Sequence, residues 1–185
     1  MDIRFMENFD RRSGYSEPHI LKALLALEEP IGREKLMKEL ALNEASVRTM
    51  LNFLKRKGLL KSTKRGHEPT EKCKGLLKFL RANIRGPIKL RKMPITVGEK
   101  NIAYVVKNRA SKIRYGIEQR DQAIIMGAHG MTTIIKKGKI FMPGMKRSIS
   151  LNIDMDDGDV LLIGSANNEK KAEFAALYAA YLLLR

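Results

Sequence analysis

One face of a predicted helix at residues 43–57 carries the side chains best suited to recognising nucleic-acid bases. The predicted buried stripe of this helix consists of Val47, Met50, Leu51 and Leu54. At 100° per residue, the opposite face carries small, hydrogen-bonding or cationic residues, namely Ala45, Arg48, Thr49, Asn52 and Arg56. Arg can bind guanine, Asn can bind adenine, and Ala or Thr can contact a thymine methyl group. A solvated helix face would have a similar composition, so the helix alone leaves both interpretations open.

A basic hairpin is predicted directly after this helix, and it would supply cations for a phosphate backbone. Leu59 begins a strand that continues into KSTKRGHEPTEKCK, with a turn at 64–67 before the second strand. Lys64 and Arg65 in the turn, with Lys55 and Arg56 in the helix, are expected to neutralise phosphates. His67, placed at the tip of this wing, is interpreted as a phosphate contact or a solvent-exposed residue rather than as a metal ligand or a base.

The candidate ligand site lies in the second half of the chain, where GAHGMTT at 127–133 is expected to form a turn after a strand. Its backbone N–H groups and hydroxyls would hold an anion. The residues assigned to this site are Gly127, His129, Gly130, Thr132 and Thr133. The segment matches neither a P-loop nor a dinucleotide-binding fingerprint. A tight turn that leads into an edge strand explains the same residues and stays open as the alternative.

Arg109, Arg114 and Arg120 near the ends of a predicted helix could clamp a carboxylate or a phosphate. They are equally well interpreted as surface charge. Of the three, Arg109 is assigned to the candidate ligand site.

Metal binding and catalysis are not predicted. The acidic cluster, Asp154, Asp156, Asp157 and Asp159, lacks the spacing of an EF-hand and is interpreted as a turn that enters a strand. The sequence offers no Ser/His/Asp set at convincing positions, no paired histidine motif and only three histidines. Cys73 is interpreted as a small core residue, and as the only cysteine it excludes an internal disulfide. No cofactor is predicted.

The elements that must position the basic face are three helices and a hairpin. Apolar periodicity predicts helices over 17–28, 33–40 and 43–57, with 41–42 as the turn, and a fourth helix from Thr70. Asn43 is a suitable N-cap. Ile31 is expected to form a very short strand beside the wing.

Short β runs dominate the second half of the chain. Strands are predicted at 102–106, 123–127, 131–136, 139–142, 149–153 and 159–163, with helices over 111–120 and 168–184. The strands at 131–136 and 139–142 are expected to pair across Lys137-Gly138. The predicted fold class is α+β, with an N-terminal winged helix-turn-helix domain at 1–85, a basic linker at 86–93 and a small mixed α/β domain at 94–185.

The balance of charge favours a polyanionic partner. The 185-residue chain has a net charge of +16, and residues 43–92 alone hold 15 basic and three acidic residues. A Lys-rich surface of the kind found in thermophile proteins is the alternative explanation.

The segments NEASVRTMLNFLKRKGLL and GHEPTEKCKGLLKFL resemble the recognition helix, wing and closing helix of the winged helix-turn-helix regulators of prokaryotes, over about residues 16–85. The order of the domains is similar to that of archaeal one-component regulators with a C-terminal sensing or dimerisation domain. The resemblance implies a sequence-specific transcription regulator that binds double-stranded DNA as a homodimer, with a small effector as a further partner.

Two alternatives stay open. The winged helix could bind RNA or a protein complex, or the C-terminal domain could be an enzyme fused to a DNA-binding module. The charged N-terminus and the 13-residue length of the longest apolar stretch predict no signal peptide and no membrane partner, and the protein is expected in the cytoplasm.

Overall fold

A computed structural model describes Met6 and residues 14–27, 29–145 and 147–185. The chain forms two compact units, residues 1–81 and 82–185. Helices and antiparallel sheets occur together in the chain, so the α+β prediction is confirmed. In the part of the chain that the structure describes, no helix combines the length and the hydrophobicity that a bilayer crossing requires.

The N-terminal unit consists of helices followed by a hairpin. Its elements are α1 (Glu17–Leu25), α2 (Arg33–Leu40), α3 (Glu44–Arg56), β1 (Leu60–Thr63), β2 (Gly66–Pro69) and the start of α4 (Glu71–Asn83). Helix α2 and the order of the elements agree with the prediction. Helix α1 is shorter than predicted and ends at Leu25, and its predicted last residue, Glu28, lies outside the described residues.

Helix α3 is fixed by its cap and its apolar stripe. The Asn43 side chain accepts a hydrogen bond of 2.8 Å from the Ser46 amide, and this satisfies one of the free N–H groups of the first turn. The predicted stripe is buried, with Val47, Met50 and Leu54 fully inaccessible. Burial of this stripe fixes the rotation of the helix, so that the polar face points outward.

The wing is tighter than predicted. Thr63 pairs with Gly66, so the loop is Lys64-Arg65 alone, and His67 lies in strand β2 rather than in the turn. The backbones of His67 and Ile31 exchange two hydrogen bonds of 3.0 Å, which gives the single-residue strand expected at Ile31. Gly66 has a φ of +127°, and a Cβ there would lie 2.8 Å from the Ile31 carbonyl oxygen, so this approach requires glycine.

The C-terminal unit is an antiparallel five-stranded sheet with helices. The strands are β3 (Ile84–Leu90), β4 (Lys100–Val106), β5 (Gly130–Lys137), β6 (Lys139–Phe141) and β7 (Val160–Ala166), and the helices are α5 (Ile117–Ile125) and α6 (Glu169–Leu184). The strand order is β3-β4-β7-β5-β6. Strands β5 and β6 pair as predicted, but Lys137 pairs with Lys139, so the turn is Gly138 alone rather than Lys137-Gly138.

One face of this sheet is covered by α6. Its N-cap is Asn168, which accepts a 2.9 Å hydrogen bond from the Lys171 amide. The helix packs across β4 and β7. At Gly164 the contact is so close that a Cβ would lie 2.1 Å from the Ala172 carbonyl oxygen.

The opposite face of the sheet carries an apolar cluster that includes Ala103, Val105, Leu161 and Ile163. Leu151, Ile153 and Met155 pack against this cluster but pair with no strand. The strand predicted at 149–153 is therefore wrong. Its alternating pattern arises from an extended segment that lies on the sheet instead of in it.

The basic linker predicted at 86–93 is also wrong, because residues up to Leu90 belong to β3. This edge strand pairs with β4, and its register shifts between Arg85 and Ile88, around Gly86-Pro87. A proline is compatible with an edge strand at such an irregularity. The Gly-Pro signal therefore marked a bulge rather than a boundary.

The helix predicted over 111–120 and the strand predicted at 123–127 also differ from the observed elements. A single 3₁₀ turn occupies Ala110–Lys112, and α5 begins only after Gly116. The strand predicted at 123–127 is the end of α5 and the loop after it. Ala123 is fully buried while Ile124 and Ile125 point to solvent, so the apolar run is not a buried strand.

Candidate nucleic-acid interface

A groove of about 580 Å³ lies between α3 and the wing. It is bordered by the start of α2, the exposed face of α3 and both wing strands. Its lining residues are Gly32, Arg33, Arg48, Leu51, Asn52, Lys55, Ser62, Thr63, Lys64, Gly66 and His67. Five of the nine residues predicted to bind DNA therefore line one concave surface: Arg48, Asn52, Lys55, Lys64 and His67.

Arg48 is held by a carboxylate at the start of the same helix. Its guanidinium lies 2.8 Å from Glu44 Oε1, and Arg33 lies 3.4 Å from the same oxygen. The hydrogen bond and charge of Arg48, followed by the charge of Arg33, hold the pKa of Glu44 below its usual value. The three side chains are half-exposed or more, so water screens this network. Arg48 must exchange this partner, or share it, when it binds an anion or a base.

The other residues of the predicted reading face are exposed, as expected from the helical phase. Ala45, Thr49, Asn52 and Arg56 all point to solvent. The Thr49 hydroxyl donates a 2.9 Å hydrogen bond to the Ala45 carbonyl, so its methyl group remains available for apolar contact. Ala45, Thr49 and Arg56 lie outside the lining of the groove.

The wing tip presents two cations. Lys64 and Arg65 are exposed, and the Arg65 amide donates a 3.2 Å hydrogen bond to the Thr63 hydroxyl. That hydroxyl lies 2.9 Å from Glu68 Oε1, and Lys61 lies 3.7 Å from Glu68 Oε2. The single carboxylate of the hairpin is thus engaged within it, away from the two cations of the loop.

His67 is half-buried in strand β2 of the wing, where it is paired with Ser62 and bridged to Ile31. Burial, and then the charges of Lys55 and Arg33, lower the pKa of its imidazole. The ring is therefore neutral at neutral pH in the free protein. A phosphate bound beside Lys55 and Arg33 would remove part of this penalty and raise the pKa.

The sequence prediction missed Arg33, Ser62 and Thr63. Arg33 could have been predicted from sequence, because the strand expected at Ile31 places the residues that follow it beside the wing. Ser62 contacts the His67 ring at 3.3 Å, a cross-strand relation that needed the register of the hairpin.

The charge of the N-terminal unit is concentrated in this region. Residues 1–42 have a net charge of −1, whereas residues 43–81 hold 11 basic and three acidic residues. The C-terminal unit is basic as well, with 18 basic and nine acidic residues in 82–185. Net charge therefore does not separate the two units, although its distribution within the N-terminal unit marks α3, the wing and α4.

The candidate ligand site at 127–133 is not formed. Gly127 follows a helix rather than a strand, and from Gly130 onward the backbone belongs to β5, paired with β7. The Thr132 hydroxyl donates to the Ile95 carbonyl, and Thr133 is buried beside Gly116. His129 is exposed. The backbone of residues 130–133 is paired with β7, and the side chains of Thr132 and Thr133 are buried. The predicted anion-binding site is therefore wrong.

Arg109 has a structural role. Its Nε donates a 3.0 Å hydrogen bond to the Leu183 carbonyl, and Lys112 Nζ donates another to the same oxygen. The two cations thus cap the C-terminal end of α6, where the helix dipole is negative. Arg120 pairs with the adjacent Asp121 at 3.1 Å, and Arg114 is exposed, so the three arginines do not converge.

The acidic cluster stabilises a turn. Asp159 accepts hydrogen bonds from the amides of Asn108 at 3.1 Å and of Asp156 at 2.9 Å. Asp157 accepts one from the Gly138 amide, and Asp154 lies 3.9 Å from Arg85. These contacts fit the predicted turn that enters the next strand.

Cys73 is fully buried on α4, and burial raises the pKa of its thiol to about 11. A thiol in this environment is a weak nucleophile. The prediction of a small core residue is confirmed.

Comparison with known proteins relates the two units to two family models. A model described as the PH0730-like N-terminal domain matches residues 18–75, and a model described as a domain of unknown function, DUF4443, matches residues 97–183. The chain is also similar to a solved structure, the hypothetical protein PH0730 from Pyrococcus horikoshii OT3. The two are 31% identical with a TM-score of 0.71, and the match covers 91% of this chain and 92% of that chain. None of the curated proteins matches the sequence.

Proposed function

We propose that this chain, which belongs to the family of the Pyrococcus horikoshii protein PH0730, is a transcriptional regulator that binds specific sequences of duplex DNA. The observation that carries the proposal is the groove between α3 and the wing, where the predicted base-reading face and the basic hairpin lie side by side.

Helix α3 would enter the major groove with its exposed face toward the bases. The major groove admits an α-helix, and each base pair presents a distinct pattern of donors and acceptors there. Arg48 and Asn52 would donate hydrogen bonds to base edges, while Ala45 and the Thr49 methyl group would contact thymine. Their common exposed face, fixed by the buried stripe of α3, supports these roles.

The wing would bind the sugar-phosphate backbone beside the occupied groove. Lys64 and Arg65 at its tip, with Lys55 and Arg56 on α3, would neutralise phosphates without reading sequence. His67 and Arg33 at the base of the groove would add a contact to the same strand. In this arrangement, the cations would supply the affinity for DNA. Arg48 and Asn52 would supply the sequence specificity.

The regulator is proposed to act as a homodimer. One winged helix makes few base contacts, and a two-fold operator doubles them at a fixed half-site spacing. The C-terminal unit would set that spacing. Control by a small effector stays a prediction from the order of the domains, with no residues assigned to it.

A salt titration of full-length protein on fluorescent duplex DNA tests the proposal. The logarithm of the association constant should fall linearly with the logarithm of the salt concentration, by about 0.9 for each phosphate neutralised. The four cations Lys55, Arg56, Lys64 and Arg65 then contribute about −3.6 per protomer to the slope, and Arg33 contributes about a further −0.9. Weak binding with no salt dependence would overturn the proposal, and a clear preference for structured RNA would replace it with the RNA-binding alternative.

Genomic footprinting would then identify the bound sites. A recurrent inverted repeat is expected, since each half-site is read by one copy of α3. Binding spread evenly along the genome would exclude a sequence-specific regulator and would leave a general DNA-binding protein.

A further inference from the structure

The large apolar side chains that the described residues expose all belong to the C-terminal unit. They are Val97, Tyr115, Ile117, Ile124, Ile125 and Met145. Four of them lie within residues 115–125, on α5 or directly before it. Exposed apolar patches of a few hundred Å² and more mark interaction sites in soluble proteins, whereas isolated apolar residues do not.

Ile117, Ile124 and Ile125 lie on one side of this helix, which we call the α5 face. Ile117, Asp121, Ile124 and Ile125 follow the i, i+4, i+7 and i+8 spacing of one side of a helix, and Ala123 on the other side is fully buried. The buried side packs against β5 and α6, which fixes the orientation of the exposed side.

Exposed apolar residues also lie in or beside the segments that flank this helix. At the N-terminal end, Tyr115 is 68% exposed and lies beside Gly144 and thus near Met145, since a Cβ at Gly144 would be 3.6 Å from the tyrosine ring. Val97 is the neighbour of Gly130, in the segment that follows α5. Aromatic residues and methionine are the types enriched at protein–protein interfaces.

We infer that this α5 face is the surface through which two copies of the chain associate. The inference rests on the proposed function, which requires a dimer. It identifies the surface through which the dimer forms. A two-fold contact uses the same patch on both copies, so α5 would pack against α5 of the second copy.

The local charge favours a second copy over another partner. The chain carries a net charge of +16, so two copies repel each other over most of their surfaces. Residues 113–130 hold two basic and two acidic residues, and Arg120 already pairs with Asp121 at 3.1 Å. The repulsion between copies is therefore small at this face, whereas an acidic partner would be attracted to the basic surfaces elsewhere.

Light scattering and sedimentation of the full-length protein test the inference. The wild type should be a dimer, and Ile125→Glu should raise the dimer dissociation constant at least about tenfold, because it replaces an apolar side chain of the contact with a carboxylate in each copy. Ile125 is 67% exposed, so the variant should melt at the wild-type temperature. The matched control, Asn152→Glu, adds the same charge at an exposed position of the same unit outside this face and should remain a dimer.

Spin labelling gives a second measurement that does not depend on disrupting the contact. Cys73 is buried and is the only cysteine, so a thiol introduced by Glu118→Cys would be labelled selectively. Dipolar coupling between two labels should report a short distance, since position 118 lies beside the proposed contact. A label at Asn152→Cys should report a longer one.

A monomeric wild type, a dimer that survives Ile125→Glu, or a pair of distant labels at position 118 would each overturn the inference. DNA titrations on the same samples keep the two proposals apart. A monomer that binds duplex DNA would refute the α5 interface and the proposed homodimer but not DNA binding itself, whereas a dimer through α5 that does not bind nucleic acid would refute only the proposed function.

Discussion

The chain contains two basic hairpins that differ in their surroundings. The wing presents Lys64 and Arg65 at its loop, and the β5–β6 hairpin presents Lys137 and Lys139 around Gly138. Both pairs of cations are exposed. The wing borders a groove with the polar face of α3, whereas the second hairpin continues a sheet, and Asp157 accepts a hydrogen bond from the Gly138 amide. The two cations of the wing are therefore the candidate DNA contact, because the exposed polar face of α3 lies beside them.

The largest expected effect separates these two hairpins. The double variant Lys64→Ala/Arg65→Ala should lose two phosphate contacts, which reduces the salt slope by about 1.8 per protomer and the affinity roughly 50-fold at about 0.1 M salt. Fluorescence anisotropy on duplex DNA measures both quantities.

The double variant Lys137→Ala/Lys139→Ala removes the same charge from the other hairpin. Its salt slope should stay within experimental error of the wild type. Equal losses in the two variants would mean that DNA responds to net charge alone, and the role assigned to the wing would be wrong.

A smaller effect should distinguish two arginines of α3. Arg48→Ala should weaken binding to the operator by about 1–3 kcal/mol and relax the preference for one base pair, because a base contact is lost. Arg56→Ala should weaken all sequences about equally and reduce the salt slope by about 0.9 per protomer. Binding to a library of single-base operator variants checks this difference. If Arg48→Ala weakens every sequence alike, the residue contacts the backbone.

Glu44 should oppose binding to any DNA. Glu44→Gln removes the carboxylate that holds Arg48 and Arg33, so affinity for random duplex should rise about two- to fivefold. Competition titrations with random and operator duplexes measure the change. Glu34→Gln, an exposed carboxylate of the first turn of α2, is the matched control and should have less effect. Unchanged affinity in Glu44→Gln would show that the network does not compete with DNA.

The smallest effect concerns His67. Burial and nearby cations lower its pKa in the free protein, and a bound phosphate would raise it, so binding would take up a proton. Affinity should therefore increase as the pH falls through the interval between the two pKa values and become constant below both. A titration series between about pH 7.5 and 5.5 should show this rise in the wild type and a smaller one in His67→Gln. An identical rise in both proteins would exclude this histidine.

The N-terminal unit could be predicted from sequence because its signals are local. The Asn43 cap, the period of Val47, Met50, Leu51 and Leu54, and the basic turn each lie within a short window, and tertiary packing agrees with them. His67 was placed in the turn rather than in strand β2, because the local sequence does not determine the register of the hairpin.

The secondary structure of the C-terminal unit was harder to predict from sequence, because it depends on packing between residues that are distant in the chain. The segment Ile149–Ile153 alternates like a strand but lies on a sheet. Gly86-Pro87 marks a bulge in a strand whose partners lie 11 to 22 positions later in the chain. The apolar run at the end of α5 resembled a buried strand because sequence does not show that its isoleucines face outward. Thr132 and Thr133 of the candidate ligand site likewise belong to strand β5, where they pair with β7.

The most direct test is an amide NMR titration of the full-length protein with a random duplex of about 20 base pairs, roughly two helical turns. Chemical shifts should change along α3 and the wing, over residues 44–56 and 61–67, and should not change at the hairpin around Gly138. Changes concentrated at Lys137–Lys139, with α3 unaffected, would contradict the proposal that α3 and the wing form the DNA-binding surface.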